Sequence, residues 1–209
     1  SLTRSRSGFS WISNMTGLGI MSRTAILFAA LAMWALFITP SKADQNDPRL
    51  DRLFTELKLA ADQESADDIA SEIWALWRKT DNPVAAQALA DGSEAIRTRQ
   101  YRSAYRHFSK VIEQAPAFAE GWNARATALY LMGAYRESIN DIRETLQREP
   151  RHFGALSGLG LIFLQQKQFG PAAAAFRDAL LINPHLPRIQ AAIDELESRQ
   201  RSIDEKNAI

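Results

Sequence analysis

The chain has 209 residues, with 25 Lys or Arg against 24 Asp or Glu, and no cysteine. That length allows one domain with accessory ends. The missing cysteine excludes a disulfide framework, a thiolate metal site and a thiol nucleophile.

Charge is distributed unevenly. Residues 1–43 hold four basic side chains (Arg4, Arg6, Arg23, Lys42) and no acid, which leaves 21 basic against 24 acidic residues, net −3, in the remainder. A mildly acidic domain with no basic stripe is a poor nucleic-acid binder. The apolar run "AILFAALAMWALFI" spans residues 25–38. It is short for a membrane span, which needs about 20 residues. Arg23 before it and Ser41-Lys42-Ala43 after it suit a secretory signal cleaved after Ala43, with Met21 the expected natural start. The expected location is therefore periplasmic or secreted. An uncleaved form would be anchored in the inner membrane, with membrane contact confined to residues 24–39.

Asp47-Pro48 has the form of a helix start. Leu50, Leu53, Phe54, Leu57 and Ala61 then recur at helical spacing. "QESADD" (63–68) reads as a turn. Ile69, Ala70, Ile73, Trp74 and Trp77 mark one face of a second helix, with the two tryptophans expected in the core against the next helix.

Further on, Pro116, Pro150 and Pro184 stand 34 residues apart. A fixed period in that range signals stacked repeats. Small residues recur at Gly92, Ala126 and Gly160, where two helices must approach closely. Large apolar residues recur at Phe108, Ile142 and Phe176. Gly133 is placed to end a helix in the left-handed conformation, and Pro171 suits a first helical position. After Pro184, Leu186, Ile189, Ile193 and Leu196 give one apolar face opposite a charged one, as a closing helix requires.

The copy at 153–184 carries Leu159-Gly160, Phe163, Ala172, Phe176, Ala179 and Pro184. With the copies ending at Pro150 and Pro116, this pattern resembles the tetratricopeptide repeat (TPR) family. The resemblance implies an all-α fold, a right-handed α-solenoid of helix hairpins. Its domain would run over 44–201. It would hold a degenerate first repeat at 51–84, clear repeats at 85–118, 119–152 and 153–186, and a capping helix at 187–201. Residues 202–209 would form a flexible tail. It also implies a non-catalytic protein-interaction module, an adaptor or assembly factor of the bacterial cell envelope. A self-associating structural subunit is the alternative.

In that family the first helix of each repeat lines a groove. Carried over, the groove positions are Leu89, Ser93, Ile96 and Arg97, then Asn123, Thr127, Tyr130 and Leu131, then Ser157, Leu161 and Gln165. The expected partner is a protein or peptide segment, with a homo-oligomer as a second expectation. The charged clamp that some members use for chaperone tails is not matched. Leu89, Ser93, Gly154 and Gly158 occupy its positions. Asp91 and Arg125 stand where the repeat usually has Leu, and are expected to pair with each other.

No residue pattern points to catalysis, a cofactor or a metal. His107, His152 and His185 lie in different repeats without zinc-ligand spacing and read as solvated. "GALSGLG" (154–160) lacks the Lys-Ser/Thr of a phosphate loop and falls within a predicted helix. Asp67-Asp68 and Asp194-Glu195 read as solvated helix faces.

Overall fold

The computed structural model describes residues 44–207; the apolar run 25–38 and the expected cleavage point after Ala43 lie outside them. After a short 3-10 turn at Asp44–Asn46 the described residues form nine α-helices and no strand. They are α1 (Arg49–Leu59), α2 (Gln63–Trp77), α3 (Pro83–Arg97), α4 (Tyr101–Gln114), α5 (Ala119–Leu131), α6 (Tyr135–Arg148), α7 (Phe153–Gln165), α8 (Phe169–Ile182) and α9 (Pro187–Asn207). No helix among the described residues is long and apolar enough to cross a membrane.

Three hairpins, α3–α4, α5–α6 and α7–α8, stack side by side, and α9 closes the stack. The second helix of each ends two residues before its proline, at Gln114, Arg148 and Ile182. The residue before a proline is pushed out of the helical region, so the chain must turn there. At the other end of each hairpin, Arg99, Gly133 and Lys167 all take left-handed backbone conformations, at φ 59°, 78° and 58°. Each sits in the same double hydrogen-bonded helix ending. At Gly133, its own N–H meets the Tyr130 carbonyl and the Ala134 N–H meets the Leu129 carbonyl, both at 2.9 Å. This satisfies carbonyls the helix end would leave open.

The close approaches fall at the expected glycines. A methyl built on Gly92 would overlap the Phe108 ring, and one on Gly160 would overlap Phe176. It is the aromatic ring of the partner helix, rather than its backbone, that needs the space. Phe108 and Phe176 are fully buried, worth about 1.5–3 kcal/mol each. At the C-terminal end, Ile193 and Leu196 cover Ala172, Ala173 and Phe176. The helix that carries them runs to Asn207, beyond the expected end at 201.

Four local readings change. Residues 63–68 are the start of α2, because Asp62 accepts the Ser65 N–H at 2.8 Å and caps the helix there; the turn is 60–62. Ala61 accordingly lies in the turn and is exposed. Pro171 is the third residue of α8, where its missing N–H would have lacked a helical partner in any case. Asp47 accepts the Arg49 N–H at 2.9 Å, so Pro48 precedes the first helical residue.

The larger correction concerns α1 and α2. They form a hairpin, but it does not stack on α3 as a first repeat would. It lies along the proline corners of the array. Gln45 bonds Ala117 and Ala119, Trp77 meets Glu149, and Gln63 reaches the His185 carbonyl. Leu50, Leu53, Phe54, Leu57, Ile73, Leu76 and Trp77 form one core with Phe153, with Ile182 and Leu186 packed against it. The two tryptophans are packed as expected, but against α7 rather than α3. The template's apolar spacing gives the hairpin, whereas its docking place depends on contacts far apart in sequence.

Candidate interaction groove

α5 and α7 lie side by side with α6 behind them, and a cavity of about 290 Å³ opens between them. Six of the eleven expected groove residues line it: Asn123, Thr127, Tyr130, Leu131, Ser157 and Leu161. Helical spacing explains this, since residues three or four apart share a face. The lining is mostly apolar. Leu131 and Leu161 stand about 39% exposed at its mouth, large apolar side chains left in water. Tyr130 also packs on Tyr135 across the hairpin, ring centroids 5.8 Å apart.

The other five lie elsewhere. Leu89 is buried in the α3–α4 core and Ile96 packs against it. Arg97 is held on the surface by Glu94, 2.8 Å from Nε. Ser93 turns its hydroxyl back onto the Leu89 carbonyl at 2.8 Å. Gln165 is exposed at the end of α7. Residues not expected in the groove complete the cavity, Ala126, Ser138 and Ile142 being repeat-packing positions: Ser138 and Ile142 from α6, and Ala126, Ala155 and Ile162. Ser138 donates to the Ala126 carbonyl at 2.7 Å, which presses α6 against α5. A small polar residue at a core position of α6 was the available signal.

One end of the cavity is closed by a buried polar cluster. Asn123 Nδ2 donates to Glu120 Oε2 at 2.9 Å, and His152 Nε2 lies 3.2 Å from the same oxygen. His152 Nδ1 accepts the Ala155 N–H at 3.1 Å, capping α7. That bond requires Nδ1 to be bare, so Nε2 carries the proton and donates to Glu120. His152 is fully buried, stacked on Trp77 with centroids 4.1 Å apart and planes 11° from parallel. The expectation of a solvated His152 is thus overturned, because one side chain serves as helix cap, proton donor and stacking surface. Trp74 lies over Gly154, where a methyl would stand 2.6 Å from the indole.

Next to this cluster, Glu149 is 2% exposed and Arg151 holds it through both Nε and Nη2, at 3.0 and 3.1 Å. Arg151 also reaches Asp51 at 2.6 Å and lies over the Phe54 ring at 4.5 Å. Burial works against the Arg151 charge, but the Glu149 and Asp51 carboxylates together outweigh it and raise the pKa above the ordinary arginine value. A partly buried pair of this kind fixes geometry more than it adds stability.

The expected Asp91–Arg125 pair does not form. Arg125 grips Asp141 on α6 through Nε and Nη2, at 2.7 and 2.8 Å, and this bond raises its pKa. Asp91 faces His107 at 4.0 Å and accepts from Gln87. Asp91 and Arg125 are therefore each met by a residue sixteen positions on, within their own hairpins. The shorter path within a hairpin wins over the path between hairpins. Among the described residues, no group of three or more His, Asp or Glu could hold a metal ion.

Stacked two-helix hairpins with an open cavity between their first helices define a helical-repeat protein. A family profile described as "Tetratricopeptide repeat" matches residues 124–187. A TPR repeat-containing protein of Rhizobium etli is 40% identical over 114 residues, 54% of this chain and 56% of that protein. Hsp70-Hsp90 organizing protein 1 of Glycine max is 22% identical over 125 residues, 58% of this chain but 22% of that protein. The chain thus spans about half the length of the first relative and about a fifth of the second. Among solved structures, the TPR2B domain of yeast Sti1 in its pHsp70 complex aligns with a TM-score of 0.53 at 19% identity, covering 56% of this chain and 98% of that one. Residues 124–187 thus carry the tetratricopeptide-repeat pattern, and the array has the fold of tetratricopeptide-repeat structures.

Proposed function

We propose that this protein is an adaptor or assembly factor of the bacterial cell envelope, which takes an apolar anchor of a partner protein into the cavity between α5 and α7. One observation carries the reading: six residues from two neighbouring first helices converge on a single apolar opening. At about 290 Å³ it stands at the small end of ligand pockets, which run roughly 300–1,000 Å³. That volume suits one or two apolar side chains of a docked helix or extended segment. The partners named for chaperone relatives do not carry over. The clamp positions here hold Leu89, Ser93, Gly154 and Gly158, none of them charged. The envelope location rests on the N-terminal charge and apolar pattern alone.

The chain has no cysteine, so Ser157→Cys gives one attachment point for a photo-cross-linker inside the cavity. In envelope preparations it should capture a discrete partner. Arg177→Cys, on exposed α8, should not, and added Leu161→Glu should abolish capture. Equal capture from both positions would reject the groove. For location, the N-terminal sequence of the exported protein should begin after Ala43; an intact Arg23 would reject cleavage.

A further inference from the structure

The array has two edges. The proline corners form one, and α1–α2 covers it. The turns within each hairpin, at Arg99, Gly133 and Lys167, form the other. On this second edge lies a cleft of about 570 Å³ lined by Arg99, Arg102, Arg106, Tyr101, Ser103 and Met132. From Arg97 to Lys110 there are five basic side chains and no acid. Arg97 is neutralised by Glu94, but Arg99, Arg102 and Arg106 are exposed and have no carboxylate partner among the described residues. Two of them lie in the first turns of α4, whose capping residue Gln100 makes no side-chain cap and whose first turn holds no acid. Cations at the positive end of a helix are unfavourable unless an anion joins them. By contrast Arg49, Arg52, Arg125, Arg148, Arg151 and Arg177 each have a carboxylate within 3.0 Å.

The complementary charge is carried by the same chain on the opposite edge. α2 has Glu64, Asp67, Asp68 and Glu72, all exposed, and no basic residue along its length. One chain cannot bring these faces together, because the hairpin helices separate them by about 20 Å, at about 1.5 Å per residue over 13–14 residues. A second copy can. We infer that the arginine cleft of one copy takes the acidic face of α2 from another. Such a contact joins unlike surfaces, so it builds a chain or ring of copies rather than a closed two-fold pair. It leaves the α5–α7 cavity open and does not rest on the groove reading.

The test uses the full chain in analytical ultracentrifugation. The wild type should associate at low ionic strength at about 100 μM, where a contact of micromolar Kd is populated, and dissociate as salt screens the charges. Arg102→Glu with Arg106→Glu should weaken association at least tenfold, as should Asp67→Lys with Asp68→Lys. Circular dichroism should show both variants folded. Mixed together, the two variants should recover association as alternating copies, since the Glu cleft of one meets the Lys face of the other and the unaltered Arg cleft of the second still takes the acidic face of the first. A wild type that stays monomeric in low salt overturns the inference. So does association that neither charge reversal weakens, which would point to an apolar contact. Failure of the mixture to pair also overturns it and leaves an acidic foreign protein as the occupant of the cleft.

Discussion

Arg99, Gly133 and Lys167 stand 34 residues apart and share one left-handed backbone conformation. Only glycine adopts it without cost; for other residues it costs roughly 1–2 kcal/mol, partly offset by the extra chain entropy a glycine loses. Lys167→Gly should therefore stabilise the protein by up to about 1 kcal/mol in urea melts, since the lysine makes no bond that glycine would forfeit. No change, or a loss, would mean the side chain contributes packing in the cleft it lines with Leu164, Phe169 and, from α9, Leu196 and Arg199. The tight sites should respond in the opposite direction. Phe176→Ala should cost about 3–5 kcal/mol, as emptying a core aromatic site does. Gly160→Ala should cost about 1–3 kcal/mol by overpacking against the same ring. A loss below 1 kcal/mol for Phe176→Ala would contradict its complete burial. These positions were legible in the sequence because each follows from local spacing. Lys167 was not, because a lysine does not announce a left-handed turn.

At the scale of elements, the α1–α2 hairpin depends on its cap and on the Glu149–Arg151–His152 corner. The N–H of Ser65 holds the Asp62 carboxyl below its ordinary pKa. A depressed carboxylate contributes its stability above the unfolded value and loses it as pH falls through the folded one. Hydrogen-exchange protection at the start of α2 should thus stay constant from neutral pH down to about 5 and decline below about 4. Asp62→Asn, which keeps an acceptor without a charge, should remove that decline. His152→Phe tests the corner. Phenylalanine keeps the stack on Trp77 but neither caps α7 nor donates to Glu120. It should destabilise by about 1–3 kcal/mol, the cost of leaving buried polar groups unpaired, and loosen α1–α2 along with α7. The expectation of a solvated histidine failed here because its three partners, Trp77, Glu120 and Ala155, come from three different helices.

For the molecule as a whole, the edge-lying hairpin changes how stability is shared. In a simple repeat stack each unit touches only its neighbours, and the terminal unit frays first. Here the N-terminal segment, Gln45 together with the α1–α2 hairpin, touches the corners at Ala117, Glu149 and His185, spread over the length of the array. Its amides should therefore exchange in one cooperative unit with α5 and α7, at the free energy of global opening. Earlier, independent exchange of α1 and α2 would mean that the corner contacts are weak. The same arrangement leaves one edge of the array covered and acidic, and the other open and basic.

The 34-residue period, the proline stops, the small residues beside large rings and the apolar face of the closing helix were all readable from the chain. Each is a matter of neighbours within one or two turns of helix, or within one hairpin. That was enough to fix the repeat fold and to place Asn123, Thr127, Tyr130, Leu131, Ser157 and Leu161 on one surface. The docking of α1–α2 on the far corners, the Arg125–Asp141 pair and the buried role of His152 were decided only by the tertiary structure. Those contacts join residues 16 to more than 100 positions apart, where several partners are chemically equivalent and only the path of the chain through space selects one.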